Sequence, residues 1–265
     1  VRPGGGGDAT TIQAGIDLAV GGDAVVVEAG TYSGLGNVNL TFNGKDITLT
    51  SESGPYFTII DCQNVAQGVL FTGGEGFGAV LDGFTIKNGS GTSGAAIYCD
   101  GASPVIRYNI LCNNLAWGAG GAIFVRQGSP MIYNNTLDGN GAGAGGGVML
   151  GPQSNAQLWQ NIICNSTSGG AFYCVGAGGA TVVSCNDLYA NAGGDLVCAG
   201  AGGNNYSLDP LFCGIAGSGN FYLQQTSPCT STFSPCAAPV GALGVQCQVT
   251  ATQAATWGQV KSLYR

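Results

Sequence analysis

A unit of about 26 residues recurs through the middle of this chain. Ser103-Pro104 returns as Ser129-Pro130, a shift of 26, and Asn109 returns as Asn135, Asn161 and Asn186 after shifts of 26, 26 and 25. Glycine-rich connectors separate the units, at 118–121, 141–147, 169–170 and 193–194. Self-similarity at a fixed period of this size means stacked units, each burying its apolar face on the next. Each unit reads as short strands between turns. Side chains alternate along a strand, so Ile97 and Cys99 point inward and Tyr98 outward, and Ile106 points inward and Arg107 outward. Leu111, Leu137, Ile163 and Leu188 form one inward column. The Asn109 column falls at one bend, where asparagine tolerates left-handed backbone and its amide can bond the next asparagine in the stack. Three faces per turn of about 25 residues make a parallel β-helix; a propeller blade needs about 40 residues, and a leucine-rich repeat carries its own consensus. Eight or nine coils are expected between Ala24 and about Val245.

The ends differ from the middle. Residues 1–8 form a glycine-rich lead. Asp8, Thr10 and Thr11 offer N-cap oxygens to a capping helix in 9–22, where Ile12, Ile16 and Ala19 follow at helical spacing and Gly21-Gly22 stops the helix. This short helix is expected to cover the open end of the stack, because an uncapped end exposes unpaired strand groups. The β-helix then occupies 23–247, and 248–265 is a Thr/Ala/Gln linker and tail. The tail residues Trp257, Leu263, Tyr264 and Arg265 read as an attachment, sorting or docking segment, or equally as a strand or short helix packed on the chain's own β-helix.

Composition narrows the function classes. Charged residues are 8% of the chain, against about 25% in an ordinary soluble domain. With seven Lys and Arg in all and a net charge of -7, no basic patch can form, which argues against nucleic-acid binding. Histidine is absent, removing the commonest general base and metal ligand. No apolar run of 18 residues suggests a membrane span. A start at Val1 without a signal peptide suggests a processed, mature chain. Eleven cysteines suggest an oxidising compartment. Cys174 and Cys198 fall in one column of adjacent coils, about 4.8 Å apart, a span a disulfide can bridge. Cys112 and Cys164 lie two coils apart with Asp138 between them and cannot bond. Later in the chain, Cys213 is expected to pair with Cys229 and Cys236 with Cys247. Cys99 and Cys112 read as small buried hydrophobes.

The segments GDAVVVEAGTYSG (22–34), SESGPYFTIIDC (51–62), LDGFTIKNGSG (81–91) and GAAIYCDGASPVIRYNILCNN (94–114) carry a wider resemblance. They resemble the right-handed parallel β-helix repeats of secreted bacterial proteins of the pectate-lyase-like superfamily. The closing LDPLFCG, FYLQQTSPCTSTFSPC and VGALGVQC are similar to the ends of such proteins. The resemblance covers roughly 9–247 and implies an all-β, single-stranded right-handed parallel β-helix. It implies little about function, because the fold hosts lyases, hydrolases, adhesins and passive surface proteins.

The catalytic patterns of that superfamily are not met. A lyase needs clustered Asp residues for calcium with an Arg or Lys base, and a hydrolase needs paired carboxylates at a set distance. The column expected to hold Phe71, Tyr98, Phe124, Met149, Tyr173 and Val197 is apolar instead. Asp100 lies beside Arg126 and reads as a surface ion pair. Asn135 and Asp138 read as turn elements. No catalytic residue, metal site or cofactor is assigned. The outward stripe of Phe71, Tyr98, Phe124, Met149 and Tyr173, with a second column of Arg107, Tyr133 and Trp159, reads as a surface for a stacked polysaccharide, for a neighbouring subunit, or for the chain's own tail or a loop. These features favour a non-enzymatic extracellular or cell-surface protein, structural or adhesive. It would bind copies of itself or cell-surface components and assemble by end-to-end stacking and tail docking. The alternative is a carbohydrate-binding or polysaccharide-degrading β-helix protein.

Overall fold

The computed structural model describes residues 1–176, 180–195, 203–214 and 219–247. They form a parallel β-solenoid whose coils pass through three long sheets. The first sheet stacks Ala24–Val27, Thr48–Ser51, Val80–Asp82, Val105–Arg107, Met131–Tyr133, Gln157–Trp159 and Val182–Ser184. The second stacks Gly30–Ser33, Thr58–Asp61, Thr85–Lys87, Ile110–Cys112, Thr136–Asp138, Ile162–Cys164 and Asp187–Tyr189. The third stacks Leu40–Thr41, Val69–Phe71, Ile97–Asp100, Ile123–Gly128, Val148–Ser154 and Phe172–Cys174. A parallel bridge from Asp187 to Tyr206 begins one further rung, giving about eight turns.

The core is the set of inward columns. Leu111, Leu137, Ile163 and Leu188 stand in register and are buried. They pack with Ile106, Ile132 and Leu158 of the first sheet and Ile97, Ile123 and Val148 of the third. Each such side chain stabilises the fold by about 1.5–3 kcal/mol.

The helix spans Ile12–Leu18 with Thr11 as N-cap, its side chain accepting from the Ala14 N–H. Ile12 and Ile16 are buried in the core beside Val25, Val27 and Leu40. Gln13 also satisfies a terminal strand, since its Nε2 donates to Thr41 O at 3.1 Å and its Oε1 accepts from Thr41 N at 2.9 Å.

The asparagine column forms an amide ladder. Nδ2 of Asn109 donates to Oδ1 of Asn135 at 3.1 Å, Asn135 to Asn161 at 3.0 Å, Asn161 to Asn186 at 2.9 Å, and Asn186 to Asn205 at 2.9 Å. The expected left-handed backbone lies one residue earlier, at Tyr108, Asn134, Gln160, Cys185 and Asn204. That bend turns the following asparagine side chain inward, where it is buried and bonds backbone as well as its neighbours. A second ladder at the next corner joins Asn114 to Asn140 at 2.9 Å.

Residues 203–247 depart from the expected coils. After the bridge at Tyr206 they fold back as a strap over the outer face of the second sheet. Phe221 packs on Ile110 and Cys112, and Leu223, Cys229 and Val240 pack on Ile162 and Cys164. Ala242 N–H donates to Thr136 Oγ1 at 3.0 Å. Gly241 has φ +96°, and a Cβ there would sit 2.5 Å from Ile162 Cδ1, so only glycine lets the strap lie this close. The strap's strands Leu223–Gln224 and Val245–Cys247 pair with each other rather than extending the three sheets.

The expected pairings of Cys213 with Cys229 and Cys236 with Cys247 are corrected. Among the described residues, Cys185 pairs with Cys236 and Cys213 with Cys247, while Cys229 is a free, buried thiol. The fold-back brings Cys236 against the last coil, which neighbour-first pairing along the sequence did not anticipate. Cys174 is disulfide-bonded; Cys198 lies outside the described residues. Asp138 separates Cys112 from Cys164 in register, and both thiols are free.

Candidate functional site

The outward stripes lie on two different faces, the third sheet and the first, joined by the short turn 101–104. On the third sheet the outward row is Leu70, Tyr98, Phe124, Met149 and Tyr173. Phe71 is not in it. It pairs with Cys99, is fully buried, and packs on Phe42 at a ring distance of 4.7 Å. Val69, Leu70 and Phe71 are all apolar, so alternation alone could not settle the frame. Met149 is buried, while Tyr98, Phe124 and Tyr173 are half-buried. The Tyr98 and Phe124 rings stack at 5.5 Å with planes 13° apart. Val197 lies outside the described residues, as do Trp257, Leu263, Tyr264 and Arg265.

On the first sheet the outward row is Asp82, Arg107, Tyr133, Trp159 and Ser184. The Arg107 guanidinium bonds Asp82 Oδ2 through Nε at 3.0 Å and Nη2 at 2.9 Å, and donates from Nη1 to the Tyr133 hydroxyl at 3.3 Å. Tyr133 and Trp159 stack at 4.7 Å with planes 11° apart. Rungs spaced by about 4.8 Å suit this offset stacking. The same geometry uses up ring faces, because each ring covers its neighbour and turns its rim to solvent. The next residue in the row beyond Trp159 is the small Ser184.

The outward carboxylates of the sheet strands Thr58–Asp61, Val80–Asp82, Ile97–Asp100 and Thr136–Asp138 are committed to partners. Asp61 pairs with Lys87 at 3.4 Å, Asp82 with Arg107, and Asp100 with Arg126 at 2.9 Å and with Gln127 Nε2 at 2.9 Å. Asp138 accepts from Asn165 Nδ2 at 2.7 Å and from the Cys164 thiol at 3.3 Å. The Asp61 carboxyl is held below its ordinary range: burial raises it, but bonds from Asn88 and Gln63 and the charge of Lys87 outweigh that. Burial pushes the Cys112 thiol up to about 12, with Asp138 adding to the effect, and also raises Cys99. Such thiols are inert as nucleophiles. Among the described residues no cluster of His, Cys, Asp or Glu can hold a metal ion.

Two features escaped the sequence. Asp187, fully buried beneath the strap, accepts from Leu208 N–H at 3.0 Å and from the Cys229 thiol at 3.1 Å. Burial pushes its carboxyl up to about 6, although both bonds oppose the shift. Trp117 projects from a ridge between the second and third sheets with 75% of its surface exposed. Its position just before the glycine-rich connector 118–121, outside the repeated columns, hid it.

Residues 45–209 match the family described as right handed beta helix region, and the chain belongs to that family. No curated protein and no solved structure matches the chain.

Proposed function

We propose that this chain is a non-enzymatic structural or adhesive protein of an extracellular surface. One observation carries the reading. The four carboxylates in the outward rows of the sheet strands, Asp61, Asp82, Asp100 and Asp138, are each tied to a cation, an amide or a thiol. General acid–base chemistry on a glycan needs two carboxylates free to exchange protons across a substrate gap, and these are spent on rung-to-rung bonds. The disulfides Cys185–Cys236 and Cys213–Cys247 support an oxidising, extracellular setting, and no helix among the described residues is long and apolar enough to cross a membrane.

Under this reading the partners are copies of the chain or cell-surface components. The helix and Gln13 occupy the first rungs, so a self-assembling form would join through the flanks and the 248–265 tail more readily than through that end. The test pairs two assays on purified protein. Release of reducing or unsaturated ends from polygalacturonate and from neutral glucans is expected to stay at the blank level. Electron microscopy of the full chain beside a variant ending at Cys247 is expected to show assemblies that the truncation abolishes. Product release that disappears in Asp100→Asn would overturn the reading.

A further inference from the structure

Two short parallel strands, Ser90–Ser93 and Leu115–Ala119, build the ridge between the second and third sheets. The middle rung is one residue longer than those on either side. Leu115 and Ala119 pair with Ser90 and Ser93 below, and bridge to Gly141 and Ala144 above. Five residues therefore oppose four on both sides, and the register shifts between Ala116 and Ala119. The extra residue is absorbed at Trp117-Gly118, and bulges of this kind re-aim a side chain.

The neighbours leave the indole free. Gly118 lies close enough to the lower rung that a Cβ on it would sit 2.9 Å from Thr92 O, and a Cβ on Gly143 above would sit 2.9 Å from Gly118 O. Trp117 thus stands between Thr92, a small exposed residue, and a rung with no side chain at Gly143. Tyr133 and Trp159 cover one another, whereas Trp117 stacks on no ring among the described residues. Exposing a tryptophan forgoes about 2–3 kcal/mol of burial and leaves a flat ring open for stacking.

We propose that Trp117 is the stacking platform of a binding site for a neutral polysaccharide. This deepens the adhesive reading, on which it rests, by naming what is adhered to. The ridge segments 88–96, 113–125, 139–149 and 165–176 contain no Asp, Glu, Lys or Arg. An acidic polymer would find no counter-charge there, while sugar hydroxyls would find hydroxyls and exposed peptide groups. Leu115, 51% exposed, is the other large apolar side chain exposed on these two strands. The two together are far short of the roughly 800 Å² per partner of a stable protein interface.

The test is cosedimentation of the full chain with insoluble cellulose, chitin and β-1,3-glucan, and affinity electrophoresis in polygalacturonate. The wild type is expected to be retained by at least one neutral polymer and not by polygalacturonate. Trp117→Ala should weaken that retention at least tenfold with an unchanged thermal midpoint, and Trp117→Phe should keep most of it. Lack of retention on all three neutral polymers, equal retention of Trp117→Ala, or preference for polygalacturonate would overturn the site. So would a change of sedimentation coefficient in Trp117→Ala, which would mark Trp117 as a protein contact. These outcomes leave the scaffold reading intact, whereas product release in the assays above would end that reading without removing the binding.

Discussion

The outer face of the second sheet and the outer face of the first are built on the same rungs yet end differently. The second sheet turns Ile110, Thr136 and Ile162 outward, and the strap covers all three. The first sheet turns Asp82, Arg107, Tyr133 and Trp159 outward, and these stay half-exposed, each bonded or stacked on the next. An outward row that can satisfy itself from rung to rung needs no cover. A β-branched, apolar row cannot, and the chain returns to bury it.

The largest effect should fall on the covered face. The Cys213–Cys247 disulfide closes a loop of 34 residues within the strap, and Cys185–Cys236 ties the strap to the last coil across 51 residues. Chain entropy puts each at about 4 kcal/mol. Cys185→Ser with Cys236→Ser should lower the denaturant midpoint accordingly and open the strap to protease while the coils before Tyr189 resist. Equal protease resistance in variant and wild type would mean that side-chain packing alone holds the strap.

Next in size is the corner both faces share. Asn135 accepts from the backbone and amide of Asn109 and donates to Ile106 O and Tyr133 O from a fully buried site. Asn135→Ala leaves several of these groups unpaired and should cost about 3 kcal/mol, measured by urea unfolding. Asn135→Asp turns a buried carboxylate on Ile106 O, Tyr133 O and Asn161 Oδ1, and should cost more than alanine at neutral pH.

Much of this is legible in the sequence. The shift of 26 residues marked the asparagine column and the inward Leu111 column, because stacked rungs repeat whatever a corner or core position requires. The same shift links Asn114 to Asn140, so the second ladder was equally open to discovery. The strap was not, since 203–247 has no period and its contacts are set by surface shape. A hint existed in outward Ile110 and Ile162, which an exposed strand would not favour. At the candidate site, Tyr98, Phe124, Tyr133 and Trp159 were assigned to outward rows, but ring stacking along the axis is a matter of rotamers that sequence does not display. Trp117 was hidden because its exposure depends on one extra residue in one rung.

A third, smaller effect depends on pH and belongs to the covered face alone. Asp187 has a folded pKa of about 6, above its ordinary 3.8. Burial favours the protonated form, so its contribution to stability is fully present below about pH 4 and is lost as pH rises through 6. The loss is about 2–3 kcal/mol. Asp187→Asn should flatten this segment of the stability profile, read as the difference between variant and wild type across pH 4 to 7. Asp61, whose pKa is lowered, contributes with the opposite sign, and taking the difference cancels it. An unchanged profile in Asp187→Asn would show that water reaches the carboxylate beneath the strap.

The smallest effect should come from the open face, and it sharpens the contrast most. Tyr133 and Trp159 are stacked with planes 11° apart on an uncovered sheet. A double-mutant cycle of Tyr133→Ala and Trp159→Ala should give a coupling of about 1 kcal/mol, measured by thermal or urea unfolding. Extending the cycle to Arg107→Ala tests whether the row acts as one unit, because Arg107 reaches Trp159 only through Tyr133. If the row is a self-satisfied ladder, Arg107 and Trp159 should couple weakly when Tyr133 is present and not at all once it is removed. Additivity throughout would mean that the rings merely sit beside one another, and the open face would then lack the internal bonding that leaves it uncovered.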